Sequence, residues 1–157
     1  MNSVKVSWTI TAVLAIMLAF VGFKFVTGST QQTDDGRTAI MMTAPERDMI
    51  LSEMRTFLEG VQTIVEAIAA DDMETVAATA TSIGMAATGG EPAQLIAKLP
   101  LDFKSLGMAT HKAFDDLAME ATDMGDANVV LANLGELMLR CTSCHAGYRF
   151  DVEDEDS

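Results

Sequence analysis

Cysteine and histidine are nearly missing from this chain. There are two of each in 157 residues, and both cysteines and one histidine fall within "CTSCH", positions 141–145. With only His111 outside that stretch, a structural zinc site would be one ligand short of the usual four nitrogen or sulfur donors. Basic residues are the next shortage. Ten lysines and arginines stand against 23 acids, for a net charge of −13, and a surface of that sign argues against nucleic acid as a partner. No Ser–His–acid set, phosphate loop or carboxylate pair offers a catalytic site, so the chain is not expected to be an enzyme. Valine, isoleucine and threonine are outnumbered by alanine, leucine, methionine and glutamate, which keep rotamer freedom in a helix. The expectation is an all-α fold with one packed domain.

What the chain does have, at its start, is an apolar run. "WTITAVLAIMLAFVGF", residues 8–23, follows only Lys5 and the amino terminus as charges and reads as an export signal. Signal cores run about 7–15 residues and a membrane span about 20, so the length falls between the two. Counting to Val26 and letting Lys24 snorkel gives about a span, oriented with the amino terminus inside the cell. Val26 and Gly28 would also suit a cleavage site. Residues 1–28 are therefore a signal anchor or a signal peptide, with the uncleaved anchor preferred, and either one exports the remainder. Next comes the polar "TGSTQQTDDGRT", and residues 29–44 are expected as a flexible linker.

From 45 to 150 four amphipathic helices can be marked. Pro45 suits a first turn, and Ile50, Met54, Phe57, Val61, Ile64 and Ile68 follow at spacings of three and four. Asp71 can cap a second helix with a small-residue stripe, Met73 through Val76, Ala77, Ala80, Ile83, Gly84 and Ala87, ended by "TGGEP". After a connection of about a dozen residues, a third helix over 101–124 carries Phe103, Leu106, Thr110, Phe114, Leu117 and Ala121. Gly125 stops it and Asp126 caps a fourth, whose inner face carries Val130, Leu134, Leu137, Cys141, His145 and Tyr148. Four such helices, joined by two short turns and one longer link, most simply form an antiparallel four-helix bundle. Residues 151–157, "DVEDEDS", read as a solvated acidic tail without assigned function.

On this reading Cys141 and Cys144 lie deep in a helix, near its far end. A dithiol redox pair normally opens a helix, where the dipole lowers the thiol pKa. Covalent haem attachment suits the position better. Two thiols add to the two vinyl groups of the porphyrin, and the following histidine supplies the proximal nitrogen to iron. Cysteines three apart project from one side of a helix, and His145 directly follows the second. Attachment of this kind takes place outside the bacterial cytoplasmic membrane, which is where the export signal sends the domain.

"CTSCHAGYR" on the last helix of a bundle resembles the class II cytochromes c, cytochrome c-prime and its low-spin, methionine-ligated relatives. The resemblance covers about residues 45–150, its specific part is the final stretch, and it implies an up-down-up-down order for the four-helix bundle. It implies one covalent haem c with Cys141 and Cys144 as thioether anchors and His145 as proximal iron ligand. It also implies that Arg149 lies close to the haem, and that Met54, in the "MR" pair with Arg55, faces the iron from the first helix as sixth ligand. Where the family commonly has an arginine four positions before that methionine, this chain has Ile50, and Arg47 is the candidate substitute. Bundles of this family often pair, which would make a homodimer.

Function then depends on the sixth iron position. If it is filled, the protein is a one-electron carrier; if open, it is a gas-binding haem protein for nitric oxide or carbon monoxide. A haem protein accessory to a larger membrane complex is a third reading. Redox partner proteins, basic ones or membrane respiratory complexes, are the implied partners, in the periplasm and tethered to the outer face of the inner membrane. His111, at the edge of its stripe between Thr110 and Lys112, is expected as an exposed helical histidine. Twelve methionines could suit Cu(I), but they are scattered and read mostly as core filler.

Overall fold

The computed structural model describes residues 2–123 and 125–153. Among the described residues the chain is mostly helical: α1 Asn2–Thr27, α2 Ala44–Ala69, α3 Met73–Ile83, α4 Ala93–Lys98, α5 Leu101–Asp123 and α6 Ala127–Gly147. Three strands, β1 Thr30–Gln32, β2 Thr38–Met42 and β3 Tyr148–Val152, form one sheet in the order β1-β2-β3.

Local chemistry explains most helix boundaries. Thr43 donates its backbone N–H to the Glu46 carboxylate at 2.8 Å, and Pro45 stands in the first turn of α2. Asp72, rather than the expected Asp71, caps α3 by accepting from the Thr75 N–H at 3.0 Å. Asp71 instead takes a positive φ of 57° in the tight turn between α2 and α3. Asp126 caps α6 as expected, accepting from the N–H groups of Asn128 and Val129. Met124, the expected last residue of the third helix, lies outside the described residues, and α5 ends at Asp123.

Two apolar clusters hold the fold. The larger joins α2, α3, α5 and α6 through Ile64, Val76, Phe114, Leu117, Val130 and Leu134, all but fully buried. Each such side chain contributes about 1.5–3 kcal/mol of transfer free energy. Within it α3 lies closely on α5, α2 on α3 and α6 on α5, whereas α2 approaches α6 only sparsely. The smaller cluster gathers Ile40 and Met42 of β2, Ile50 of α2, and Leu95 and Leu99, with Met54, Phe103, Tyr148 and Phe150 packed against it.

Several expectations need correction. The 29–44 segment is not a flexible linker: it holds β1 and β2, and Ala39, Ile40 and Met42 are buried. The apolar residues of "TAIMM" find a partner from the far end of the domain, since β2 pairs in parallel with β3, Thr38 against Tyr148 and Met42 against Val152. The acidic tail correspondingly begins inside the sheet. Asp151 and Val152 belong to β3, and Glu153 donates its N–H to the Met42 carbonyl at 2.9 Å. The tail residues 154–157 lie outside the described residues. The connection before the third helix contains α4, whose Leu95 is buried. Ala87 belongs to a 3-10 turn, Met85–Ala87, beyond the end of α3.

Val6–Thr27 of α1 spans 22 residues at a mean hydropathy of 2.2, with none of it buried, long and apolar enough to cross a membrane. Gly28 ends α1 with a φ of 63°, a conformation that favours glycine.

Candidate functional site

The "CTSCH" stretch occupies the last two turns of α6, 21 residues long, ahead of the strand β3. Cys141 packs against the larger cluster, and both cysteines are half-buried, free thiols. Burial pushes both thiols above their ordinary pKa, and for Cys144 the nearby Cys141 adds to the rise. A nucleophilic redox pair needs the opposite shift, so burial and the position far from the helix N-terminus both disfavour dithiol exchange. At about 100° per residue, Cys141 faces the core with Val130, Leu134 and Leu137, Cys144 points about 60° to one side of it and His145 about 40° to the other.

His145 was expected on the inner face; it is exposed. Its ring makes no hydrogen bond or ion pair among the described residues. Tyr148, also expected on that helical face, opens β3 and meets Phe103 edge-on at 5.3 Å. Met54 is half-buried in the smaller cluster with Tyr148, so α2 and the end of α6 do converge there. Phe57, one turn further along α2, shares the larger cluster with Cys141. Arg149 lies on β3, where its guanidinium is held by Asp151 at 2.8 Å and Asp35 at 3.4 Å. Arg47, near the start of α2, has a buried Nε without a hydrogen-bond partner among the described residues.

The sheet fixes the offset between α2 and α6 at this end. Parallel pairing sets the end of α6 beside the start of β2, and the start of α2 beside the end of β3. A five-residue strand therefore offsets the start of α2 from the end of α6 by about 16 Å along the strand direction. Met54 and Tyr148 pack against the smaller cluster, and Cys141 against the larger. A groove of about 610 Å³ also runs along the Cys144 flank of α6, lined by Leu106, Leu117, Leu137, Arg140 and Ser143 among others. No three His, Cys, Asp or Glu side chains converge as a metal cage among the described residues. No family model matches this chain, and neither a curated protein nor a solved structure is found similar to it. What the site can do follows from its own residues.

The structure brings forward one residue whose expected place was wrong. His111 is buried, not exposed. Its Nδ1 lies 3.0 Å from the Ile83 carbonyl and 3.1 Å from the Gly84 carbonyl, its Nε2 is 3.3 Å from Glu53, and Phe57 packs on its ring at 4.9 Å. With carbonyls on one nitrogen and a carboxylate on the other, both nitrogens act as donors. Glu53 and the two carbonyls raise the imidazole pKa against the opposing effect of burial. The sequence signal was spacing: His111 is three residues before the core residue Phe114. A cavity of about 320 Å³ adjoins it, lined by Met49, Glu53, Phe57, Ile83, Glu91 and others.

Proposed function

We propose that this chain is an exported, membrane-anchored monohaem cytochrome c that carries single electrons, its α2, α3, α5 and α6 forming an antiparallel four-helix bundle of the class II kind. In this reading Cys141 and Cys144 are the thioether anchors and His145 the proximal iron ligand. The carrying observation is the end of α6. Two free, half-buried thiols lie three apart on this helix, which α2 approaches only sparsely, and an unengaged imidazole stands next to them.

The surrounding residues fit a haem. The unpartnered Nε of Arg47 is a buried donor in the first turn of α2, suited to a propionate, and it supports Arg47 as the substitute for the missing family arginine, with one carboxylate, Asp48 at 3.4 Å, on the same guanidinium. Arg149 fits that role less well, because two carboxylates already hold its guanidinium. Bound haem would supply reversible one-electron chemistry at its iron. The chain's own contribution is positional. The α6 backbone sets the imidazole relative to both anchors, and the apolar residues around Met54 exclude water from the α2 side. Met54, on α2 and in the same cluster as Tyr148, is the proposed sixth ligand, which would keep the iron low-spin and raise its potential. Its packing against Ile50 favours the alternative, a side chain that only covers an open, gas-binding iron.

The apolar α1 supports an uncleaved anchor on the outer face of the inner membrane. The experiment for the haem is extraction of the purified protein with acidified acetone. Intact mass should retain one porphyrin, and Cys141→Ser with Cys144→Ser should abolish it. Release of free haem from the wild-type protein would refute the assignment.

A further inference from the structure

The last turn of α1 is clasped by the folded domain. Gly28 is buried against the corner where α4 meets α5: a Cβ there would run into the Lys98 carbonyl and come within 2.6 Å of the Pro100 nitrogen. Next along the chain, Ser29 donates its N–H to the Lys98 carbonyl at 2.7 Å. From the first turn of α5, Lys104 reaches back to α1, its ammonium 4.1 Å from the centre of the Phe25 ring and donating to the Phe25 carbonyl at 3.3 Å. A cation at the open carbonyl end of a helix is also favoured by the helix dipole.

We infer that the α4–α5 corner rests on the surface of the bilayer in which α1 ends, holding the domain in one orientation with the "CTSCH" end of α6 turned toward the membrane. The inference rests on reading α1 as an uncleaved membrane helix. What faces outward at this corner suits a lipid interface. Leu101, Lys104, Ser105 and Met108 follow the i, i+3, i+4, i+7 pattern on the side of α5 opposite its core stripe. Leu101 is 37% and Met108 49% exposed, and Ile96 of α4 adds a third apolar side chain at 37%. Further along the same side the exposed Lys112–Asp116 pair separates this apolar patch from Met119. Lys104, in that stripe, touches the last turn of α1, so the first turns of α5 stand at the level where the span leaves the hydrocarbon. Lys24, in the last turn of α1, adds a cation at headgroup depth.

The orientation of the site follows from two contacts. Phe103 meets Tyr148, which sets the end of α6 beside the start of α5, and the start of α5 is beside the end of α1. Cys144 and His145 lie about one helical turn before Tyr148, about 5 Å along the axis. Electrons exchanged there pass near the membrane surface, to partners embedded in or seated on it.

Photocrosslinking in vesicles tests this. The full haem-loaded chain, with benzoylphenylalanine replacing Met108 in one preparation and Leu131 in another, is inserted into phosphatidylcholine–phosphatidylglycerol vesicles and irradiated. Lipid adducts seen by intact mass should be several-fold more abundant at position 108. They should fall to the level at position 131 when a ten-residue glycine–serine segment is inserted between Thr27 and Gly28. Equal adducts at both positions, in protein that stays with the vesicles through alkaline washing, overturn the docking and leave the anchor standing. Unchanged adducts after the insertion overturn the clasp as the cause of the orientation. Loss of the chain to the supernatant overturns the anchor and the docking together.

Discussion

Ile40→Ala separates a folded collar from a slack tether more sharply than any change in the helices. Ile40 is fully buried in β2, among Met42, Ile50, Leu95 and Leu99. The substitution removes three carbons at about 0.8 kcal/mol each, about 2.4 kcal/mol of transfer free energy. Partial collapse of the remaining cavity brings the loss to about 3–4 kcal/mol, inside the range measured for buried isoleucine truncations. For a domain stable by about 5–15 kcal/mol this is a large fraction. Urea unfolding in detergent, followed by circular dichroism, should show the midpoint falling by about 1.5–2 M at a slope of about 2 kcal/mol per molar. Gln31→Ala, on the exposed strand β1, is the matched control and should move stability by less than about 0.5 kcal/mol. If Ile40→Ala shifts the midpoint no more than Gln31→Ala does, the segment is a tether after all. The membrane orientation would then lose its structural basis.

On the proposed reading, Met54→Ala should convert a low-spin absorption spectrum to a high-spin one and open the iron to carbon monoxide. A wild-type protein that is already high-spin and binds carbon monoxide refutes the ligand and favours gas binding. His111 gives a pH signature. Its pKa is raised in the folded state, so its contribution is fully present below the unfolded imidazole value of 6.5 and is lost as pH rises through the higher folded value. Stability measured from pH 6 to 9 should therefore decline in the wild type and decline less in Glu53→Gln; equal slopes would refute the pairing. Gly28→Ala should destabilise by about 1–3 kcal/mol, because its φ of 63° disfavours a side chain and its Cβ would overlap the Lys98 carbonyl, and thermal unfolding near the wild-type temperature would contradict that.

The helices were legible because each carries its own evidence. The stripe of α2, the Asp126 cap and the Val130–Leu134–Leu137–Cys141 face depend on residues within a few turns of one another, and the structure has them. The sheet depends on the reverse. β2 pairs on one side with β3, from the other end of the domain, which no local window contains; on the other side it pairs with β1 across the Asp35–Gly36 turn, a local hairpin signal that lacks alternating apolar residues on the β1 side. The six residues of α4 are too few to display a period. His111 was misplaced because a polar side chain was read as marking the edge of its stripe, whereas two carbonyls and a carboxylate from α2 and α3 neighbours make a buried imidazole affordable only in three dimensions. In the candidate site, the anchors were legible from their types and spacing. The engagement of Arg149 with Asp35 and Asp151 was not, since it depends on the unforeseen sheet.

The sheet built on the 29–44 segment and the site share one end of the molecule, and that coupling bears on how a partner would be met. On the proposed reading the −13 charge acts at a distance of about one Debye length, 8 Å at physiological salt, and would set how fast a basic redox partner arrives. The clasp at Gly28 and Lys104 acts at contact and sets which face is presented. The two separate under salt. Raising ionic strength should slow electron exchange with a soluble basic partner while leaving exchange with a membrane-embedded one largely governed by orientation. The glycine–serine insertion after Thr27 should do the opposite, sparing the soluble reaction and slowing the embedded one. Stopped-flow oxidation in vesicles measures both, and a chain whose two reactions respond alike to salt and to the insertion is not held in a fixed orientation.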